Sequence, residues 1–534
     1  MKQHLATLWR WRATPSATGL TVVLLTIVLA MFYRPLHLVA PLLTIDPAAA
    51  FTLPIAAVLL GMFGLLTLAR PDLALPFVVL TAPLTYRSRG FWDSNFGVAN
   101  KYFPLHEFVL LIVLGATMLY AVFDRHRLEQ PRQLLRSLIL PGLWLLAGTL
   151  GALIATPPGR GDAWREWRWM IVEPLLFYGL ILFWSQRSRA GGGAGFPLAP
   201  PRPLLWATGL SGVGVALIGL LQRRGIDWAP TEGAGLCFSD HVIKTGGAIR
   251  TSSVYCHPNN LALWLDRVWP IALVLLIGAL VQWRRQRGPQ RFSIKPTLLP
   301  LAYAACLSIT ALSMLLTYSK GARYAGAVVL LGLALLPRRW WITAATVVLL
   351  GGGLTYSSLY GSERLQVTAD TSSARLSIWR SAGAMLADHP LTGVGLDQFF
   401  GYFKRYIEPE LARDEAEKNT SHPHNLVLDL LLRVGPFGAL VFAALIWRSA
   451  RRGWQVWRSA LPERWLALAG LAGGAAGLLH GLVDQGYFST DLAIATWMLI
   501  GLIDALWLGY HPQPGDLKQF VSPGPAERAT ITAA

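Results

Sequence analysis

The stretch SHPHNLVLDLLLRVGPFGAL, residues 421–440, places two histidines and an asparagine directly before an apolar run. A run of this kind can cross a hydrocarbon core of about 30 Å, which takes roughly 20 residues. It nevertheless contains Asp429 and Arg433, whose spacing of four residues allows them to pair on one face of a helix. Pro423 favours the first turn of a helix, so we expect the span to begin at about His424. The stretch therefore predicts a membrane helix with ionisable groups at its mouth.

The rest of the chain has the same apolar character. Of its 534 residues, 53% are hydrophobic and only 14% are charged, whereas about a quarter of the residues of a soluble domain are charged. Unbroken apolar runs argue against a β-barrel, whose strands would alternate. We predict an all-α polytopic membrane protein with about 12–14 transmembrane helices. The spans are expected at roughly 19–33, 51–69, 73–86, 105–123, 138–155, 169–184, 204–221, 261–283, 299–316, 324–337, 340–357, 425–447, 464–482 and 490–509.

The orientation follows from basic residues in short loops, which stay in the cytoplasm. Fourteen spans put both termini and the basic segments, such as 284–295 and 448–464, on one side. The long loops at 222–260 and 358–424 then lie on the opposite, periplasmic side. We therefore expect a transmembrane domain over 1–510, a large helical periplasmic loop at 358–424 and a disordered cytoplasmic tail at 511–534.

The net charge of +18 suggests nucleic acid first, but the chain shows no soluble basic domain and no nucleic-acid-binding motif. Topology explains the cytoplasmic basic residues, yet the outward loops also contain many arginines and lysines. Outward cations beside membrane helices suggest an anionic ligand. The alternative is that many of them pair with local acids such as Asp162 and Glu166.

Two features of the outward loops give structural predictions. In the larger loop, Leu376, Trp379, Gly383 and Leu386 recur at helical spacing before a proline, which predicts an amphipathic helix. In the smaller loop, Cys237 and Cys256 would share an oxidising compartment, so a disulfide between them is a hypothesis. Mass spectrometry without reduction would test it, since two free thiols would exclude the bond.

His424 and Asn425 are expected at the N-terminus of the span, where unsatisfied N–H groups attract anions and disfavour a charged imidazole. A neutral histidine can act as a general base. The alternative is an interfacial histidine that only forms hydrogen bonds. The doublet of His422 and His424 also suggests a metal, but no third ligand follows at a convincing spacing, so we predict no metal and no cofactor.

The string His424-Asn425, nine residues, then GPFGA fits the pattern H-[N/S/Q]-x9-G-x-x-G-x. It resembles the signature of the O-antigen ligase/polymerase superfamily, which also includes bacterial protein O-oligosaccharyltransferases. Three further segments agree with the family in order and spacing, and together they cover about 250–440. They are RTSSVYCHPNNLALWL (250–265), TYSKGARYAG (317–326) and ARLSIWRSAGAMLADHPLTGVGLDQF (374–399).

The resemblance implies a GT-C-like, multi-pass glycosyltransferase of the bacterial inner membrane whose site faces the periplasm. Such enzymes transfer a glycan from an undecaprenyl-diphosphate carrier to an acceptor hydroxyl, and lipid A–core is the acceptor of a ligase. By the same resemblance, His424 is the expected base, and Arg375 the first choice for the diphosphate. Arg250 matches the family arginine that opens another span. The remaining expected substrate-binding residues are Asn425, Arg380 and His422.

Several alternatives stay open. The family has arginine where this chain has Lys320, so either Lys320 or Arg323, one turn away, would take that catalytic role. A polymerase would use a second carrier-linked glycan as its acceptor, and a protein is a third possible acceptor. A flippase or transporter of lipid-linked glycans would also need outward cations, but it should line a path across the bilayer with them.

Overall fold

The computed structural model describes residues 19–27, 52–86, 105–123, 131–157, 159–189, 201–224, 244–245, 248–255, 257–286, 295–361, 368–409, 411–413 and 419–510. Within these ranges the chain is almost entirely helical, apart from a pair of two-residue strands at Lys244–Thr245 and Ala248–Ile249. The helices are α1 (Thr52–Ala69), α2 (Pro71–Ala74), α3 (Pro76–Thr81), α4 (Leu105–Phe123), α5 (Pro131–Leu153), α6 (Arg160–Glu166), α7 (Glu173–Arg189), α8 (Pro201–Arg223), α9 (Pro258–Gln286), α10 (Lys295–Leu315), α11 (Lys320–Leu335), α12 (Trp340–Gly361), α13 (Thr368–Asp388), α14 (Phe399–Tyr406), α15 (Leu426–Trp457), α16 (Arg464–Gly481) and α17 (Thr490–Tyr510).

Eight helices of the described residues are long and apolar enough to cross a membrane, namely α4, α5, α8, α9, α10, α15, α17 and the helical stretch Arg160–Gln186. This confirms the predicted all-α polytopic membrane protein. The predicted total of 12–14 spans also counts shorter apolar helices such as Pro71–Leu84, and it stays a prediction. The predicted tail at 511–534 and the cysteine pair Cys237 and Cys256 lie outside the described residues.

The centre of the bundle is formed by α9, which packs against α8, α10 and α16, while α15 packs against α5, α16 and α17. Fully buried tryptophans fill the interior, among them Trp144, Trp264 and Trp497. Glycines allow the closest approaches. A Cβ on Gly473 would lie 2.6 Å from the backbone oxygen of Arg267, and one on Gly321 would lie 2.5 Å from the His480 ring. These contacts hold α16 closely against α9 and α11.

The predicted amphipathic helix is present as α13, but only Trp379 and Leu386 of the predicted stripe pack against the core beneath it. Ile378, Ala382 and Met385 are fully buried, whereas Leu376 is 48% exposed. The buried face packs with Phe399 of α14 in a separate small core. The sequence gives a choice of apolar stripes on this helix, and contact with α14 selects the one that is rotated away from Leu376.

Helix α15 is kinked at Gly435, whose φ of 67° and ψ of 178° are outside the helical region. Pro436 has no N–H, so the helix leaves the carbonyl of Leu432 without its usual intrahelical partner. The loop after α13 supplies two donors instead, because the N–H groups of Val394 and Gly395 reach the Leu432 oxygen at 2.7 and 3.0 Å. The predicted signature glycine therefore makes a kink, and the kink holds the loop.

Above the kink, the expected pair of Asp429 and Arg433 forms, with Nε to Oδ1 at 2.6 Å. The structure adds a third member, since Glu166 also pairs with the Arg433 guanidinium, and the Phe488 ring lies 4.9 Å from its centre. All three charged side chains are buried. Burying a charge is unfavourable unless it is paired, so this triad holds α15 against the C-terminal end of α6.

Candidate active site

His424 lies outside the helix that was expected to begin with it. The first helical residue is Leu426, and Asn425 is the N-cap, whose Oδ1 accepts from the N–H groups of Val427 and Leu428 at 3.0 and 3.1 Å. Asn425 also donates from Nδ2 to the Leu482 carbonyl at 3.0 Å. The structure thus uses Asn425 to cap α15. The prediction that it binds substrate stays untested.

His424 adopts a φ of 49°, in the left-handed region that non-glycine residues seldom visit. The short turn 419–424 that precedes α15 is tied to α13 by Trp379, whose indole N–H donates to the Pro423 carbonyl at 3.0 Å. Residues held in such uncommon conformations cluster at functional sites, where the surroundings fix them. The turn presents the imidazole of His424 to the space beside α16 and α17.

The partner of that imidazole is Asp484, in the turn between α16 and α17. His424 Nδ1 lies 3.1 Å from Asp484 Oδ1, and the other carboxylate oxygen accepts from Asn259 Nδ2 at 2.9 Å and from Arg375 Nη2 at 3.3 Å. The Gln485 N–H also donates to Oδ1 at 2.9 Å. His424 and Arg375, to which the family resemblance assigns roles in one reaction, therefore contact opposite oxygens of a single buried carboxylate.

Asp484 is almost completely buried, with 2% of its surface exposed. Burial alone would raise the pKa of this carboxyl group, but hydrogen bonds from His422 and His424 and the nearby imidazole of His480 hold its pKa well below the usual range. Asp484 is therefore an anion at neutral pH. A carboxylate on Nδ1–H fixes the tautomer of an imidazole and stabilises the imidazolium that forms when Nε2 takes up a proton.

Nε2 of His424 is directed away from Asp484 and lies 3.3 Å from the Thr420 hydroxyl. With Nδ1 committed to the carboxylate, Nε2 is the nitrogen that can accept a proton. A hydroxyl group already occupies this position in the structure. The geometry is therefore that of a general base whose accepting nitrogen faces an alcohol.

A second predicted cation, Arg250, lies near the same carboxylate, because both bond to Asn259. Arg250 is held by the Thr317 carbonyl at 2.8 Å from Nε and by Asn259 Oδ1 at 3.0 Å from Nη2. Burial, then repulsion from Arg323 and Arg375, lowers the pKa of Arg250 to about 10, so it still carries its charge at neutral pH. Arg323 and Arg375 also interact electrostatically with Lys320. The structure thus brings Arg250, Lys320, Arg323 and Arg375 together.

Local structure explains how α11 presents its two cations. Ser319 is the N-cap, and its side chain accepts from the Ala322 N–H. His480 of α16 lies 3.3 Å from the Ser319 hydroxyl through Nε2 and 2.7 Å from Asp266 through Nδ1. This buried chain of hydrogen bonds fixes the start of α11, and with it Lys320, against α16.

The structure also explains the four-residue spacing of Arg375 and Trp379. Residues four apart share one face of α13, and that face contacts both Asp484 and the Pro423 carbonyl. Arg380 is on a different face. Its Nη1 pairs with Glu408 at 3.7 Å, and its side chain is 61% exposed. The structure does not connect Arg380 to the cluster, and its predicted substrate role stays untested.

Asp484 adds a third possible metal ligand to His422 and His424. One ligand atom from each of His422, His424 and Asp484 lies within 4.8 Å of the others, so the third ligand that the sequence did not reveal is present. Two features disfavour a cation at this point. Both oxygens of Asp484 already accept hydrogen bonds, one of them from a guanidinium, and the four clustered cations repel a further positive charge.

Asp484 is the main residue that the sequence did not predict. It lies 60 residues beyond His424, within a VDQG segment that has no recognisable pattern. The sequence came closer to predicting Asn259, because this residue belongs to the Pro-Asn segment that opens α9. Only the packing of α9, α15 and α16 reveals that Asn259 and His424 share one acid.

His257 provides a pH-dependent prediction. Burial lowers the pKa of this histidine to about 4, although Asp484 opposes the shift, and its Nδ1 accepts from the Asn259 N–H at 3.2 Å. The unfolded chain therefore binds a proton near pH 6.5 that the folded chain binds only near pH 4. The stabilisation from neutral His257 is complete above pH 6.5 and is lost as the pH falls towards 4.

We expect the melting temperature of the purified protein in detergent to fall between pH 6.5 and 4.5, and the fall to be shallower in His257→Asn. The asparagine oxygen can still accept from the Asn259 N–H, but the side chain does not titrate. Since burial also lowers the pKa of His422, part of the slope should remain. Equal slopes for both proteins would contradict this assignment.

Comparison with known protein families finds a similar segment within the chain. Residues 304–443, about a quarter of the chain, match the family described as O-antigen ligase. The matched segment contains Lys320, Arg323, Arg375 and His424, whereas Arg250 and Asp484 lie outside it. No curated protein sequence matches the chain. Three of the four sequence motifs fall within this segment, which is similar to the O-antigen ligase family.

Proposed function

We propose that the protein is a glycosyltransferase of the bacterial inner membrane that acts as an O-antigen ligase. It transfers a glycan from an undecaprenyl-diphosphate carrier to a hydroxyl of lipid A–core at the periplasmic face. In this proposal, residues 1–510 form the membrane domain, 250–440 its ligase-like core, and 358–424 the periplasmic loop. The observation that supports it most directly is that the His424–Asp484 pair lies beside a cluster of four cations.

The reaction is an inverting displacement. The acceptor hydroxyl replaces the Thr420 hydroxyl at Nε2 of His424, and its oxygen attacks the anomeric carbon as Nε2 takes the proton. The bond from that carbon to the carrier phosphate breaks, and the diphosphate leaves with the bonding electrons. Asp484 stabilises the imidazolium, since it already accepts a hydrogen bond from His424.

The leaving diphosphate needs positive charge at the moment when its own negative charge grows. Arg375 is the first choice, because a guanidinium can hold two phosphate oxygens at once and keeps its charge. Its side chain is 28% exposed, so part of it remains accessible to a ligand while Arg375 pairs with Asp484. Arg250, Arg323 and Lys320 surround it, and they can neutralise the diphosphate without a metal ion.

The direct test is transfer by the purified protein in lipid nanodiscs, with a synthetic undecaprenyl-diphosphate glycan as donor and lipid A–core as acceptor. We expect glycosylated lipid A–core and free undecaprenyl diphosphate. Longer glycan on the carrier, formed without lipid A–core, would identify a polymerase instead. Movement of donor across sealed liposomes with no new glycosidic bond would identify a transporter, and would overturn the proposal.

Arg375→Lys is expected to lower kcat for transfer by a factor of about 10–100, because an ammonium cannot bind two phosphate oxygens in parallel. The change should be larger in kcat than in KM, because the charge on the diphosphate grows in the transition state. Steady-state kinetics with the synthetic donor measures both constants. Arg405→Lys on α14 is the matched control, as that guanidinium lies over Tyr402, and it should leave both constants unchanged.

A further inference from the structure

The hydroxyl group of Thr420 lies against the accepting nitrogen of the base. Its Oγ1 is 3.3 Å from Nε2 of His424 and 3.3 Å from the carbonyl oxygen of His422. Thr420 is buried, with 8% of its surface exposed, whereas the His424 side chain is 20% exposed. In the structure, a protein hydroxyl thus holds the place where the proposed reaction needs the hydroxyl of the acceptor.

This hydroxyl can serve both charge states of the imidazole. With Nδ1–H donated to Asp484, neutral His424 has a lone pair on Nε2, to which the Thr420 hydroxyl can donate. In the imidazolium, Nε2–H donates instead, and Thr420 accepts while its own hydrogen turns to the His422 carbonyl. Since the hydroxyl rotates to suit its partners, neither state of the base needs a water molecule as its partner at Nε2.

The turn 419–424 fixes the hydroxyl and the imidazole relative to one another. Thr420 and His424 both belong to this turn, and His424 ends it with a left-handed φ of 49°. Trp379 of α13 holds the turn from outside through the Pro423 carbonyl, at 3.0 Å. The Thr420 hydroxyl therefore stays beside Nε2 until the turn changes its conformation or another hydroxyl group displaces it.

A water molecule in the same place would compete with the acceptor as the nucleophile. Nε2 would take a proton from water as its oxygen attacks the anomeric carbon. The bond from that carbon to the carrier phosphate would break, and the diphosphate would leave with the bonding electrons. The products would be free glycan and undecaprenyl diphosphate, so the donor would be lost without transfer. Exclusion of water from an active site prevents side reactions of this kind.

We propose that Thr420 selects the acceptor over water, because its hydroxyl occupies Nε2 of His424 until an acceptor hydroxyl replaces it. The acceptor can displace the threonine hydroxyl because the rest of the acceptor molecule supplies binding energy, whereas a water molecule has no such remote contacts. Thr420 is then a specificity-determining residue of the base. The inference rests on the proposed function, because transfer and hydrolysis consume the same donor.

Two substitutions separate the hydroxyl from the rest of the side chain. Thr420→Ala removes the hydroxyl and opens its place to water, whereas Thr420→Ser keeps a hydroxyl on the same carbon. Thr346→Ala on α12 is the matched control, because the Thr346 hydroxyl donates within its own helix, to the Ile342 carbonyl at 2.9 Å. Each purified protein is placed in nanodiscs with the synthetic donor, with and without lipid A–core, and both free glycan and glycosylated lipid A–core are measured.

Without lipid A–core, Thr420→Ala should release free glycan about tenfold faster than the wild type, as expected for the loss of about one hydrogen bond. With lipid A–core present, its ratio of transfer to hydrolysis should fall by a similar factor. Thr420→Ser and Thr346→Ala should keep the wild-type ratio. An unchanged ratio in Thr420→Ala would overturn the inference. Glycan attached to Thr420 of the wild type would also overturn it, since the threonine would then be an acceptor.

A second measurement needs no substrate and separates this inference from the proposed function. Diethyl pyrocarbonate modifies accessible imidazole nitrogens, and peptide mapping gives the rate for each histidine. His389 is the internal reference, because it is partly exposed, as His424 is. In the wild type, His424 should react more slowly than His389, and in Thr420→Ala its rate should rise about tenfold. Equal rates for His424 in the two proteins would refute the contact.

The two measurements have distinguishable failures. If the wild type neither transfers nor hydrolyses the donor, but Thr420→Ala exposes His424 to the reagent, the proposed function fails and the protection of His424 by Thr420 stands. If the wild type transfers glycan and Thr420→Ala neither raises hydrolysis nor exposes His424, the proposed function stands and the selection of acceptor over water by Thr420 is wrong.

Discussion

Replacing His424 by alanine is expected to lower the rate of glycan transfer by a factor of about 10²–10⁴, which is the usual contribution of a positioned general base. The methyl group cannot accept the proton of the acceptor hydroxyl, whereas the arginines that hold the diphosphate remain. Donor binding should therefore persist while turnover is lost. Transfer by the purified protein in nanodiscs gives the rate, and binding of an undecaprenyl-diphosphate glycan gives the affinity.

Asp484→Asn tests the same mechanism through the partner of the base. The asparagine has nearly the same shape, but it is neutral and its amide can favour the wrong tautomer of His424, so we expect a loss of similar order. The amide also ends the ion pair with Arg375. Folding should be checked in each variant by membrane insertion and by the melting temperature in detergent.

A matched histidine serves as the control. His389 packs its ring against Tyr402, 5.4 Å between centroids, and has no contact with the cluster. His389→Ala should leave the rate within about twofold of the wild type, as surface changes away from a site usually do. If His424→Ala transfers glycan at a rate near that of the wild type, the assignment of His424 as the base is wrong.

The membrane architecture could be predicted because it depends on a local property. A span of some 20 apolar residues is visible in the sequence. The orientation that the basic loops indicate stays a prediction. The same holds for the cations at the start of α11, since their neighbours in the chain, Ser319 and Gly321, form the cap and the close contact that place them. Local signals were sufficient for these features.

The remaining features of the site depend on helices that are distant in sequence. Asp484 lies in the turn after α16, where an aspartate has many ordinary roles, and only packing puts it between Asn259, Arg375 and His424. Glu166 is similar, because its charge is balanced by an arginine that lies 267 residues further along the chain. Burial makes these partners necessary, since each charge would be unfavourable alone, but composition does not say which partner is chosen.

The spacing of the signature residues His424 and Gly435 also has a structural role, which the sequence alone did not reveal. His424 and Gly435 are eleven residues apart, about three helical turns, and both are tied to α13. Trp379 holds the turn that carries His424, and the loop that follows α13 bonds to Leu432 just before the kink. The histidine is thus held by α13, which also provides Arg375, and the glycine by the loop that follows α13.

Gly435→Ala should therefore damage the protein more than a glycine in a membrane helix normally would. At φ 67° and ψ 178° the backbone is in a region that is almost exclusive to glycine, which adds about 1–3 kcal/mol of strain for any other residue. A Cβ at this position would also lie 2.9 Å from the Leu391 carbonyl oxygen. Alanine must either carry that strain or straighten α15 and release the loop that bonds to Leu432.

We expect Gly435→Ala to lower the melting temperature in detergent and to reduce transfer, because release of the loop loosens α13 and with it Arg375. Gly383→Ala on α13 is the matched control. A Cβ there meets nothing within 4 Å, and alanine in a helix interior is favoured over glycine by about 1 kcal/mol. That variant should be as stable as the wild type or more so. If Gly435→Ala has the same melting temperature as Gly383→Ala, the kink does not hold the loop. The link between the signature glycine and Arg375 must then be abandoned.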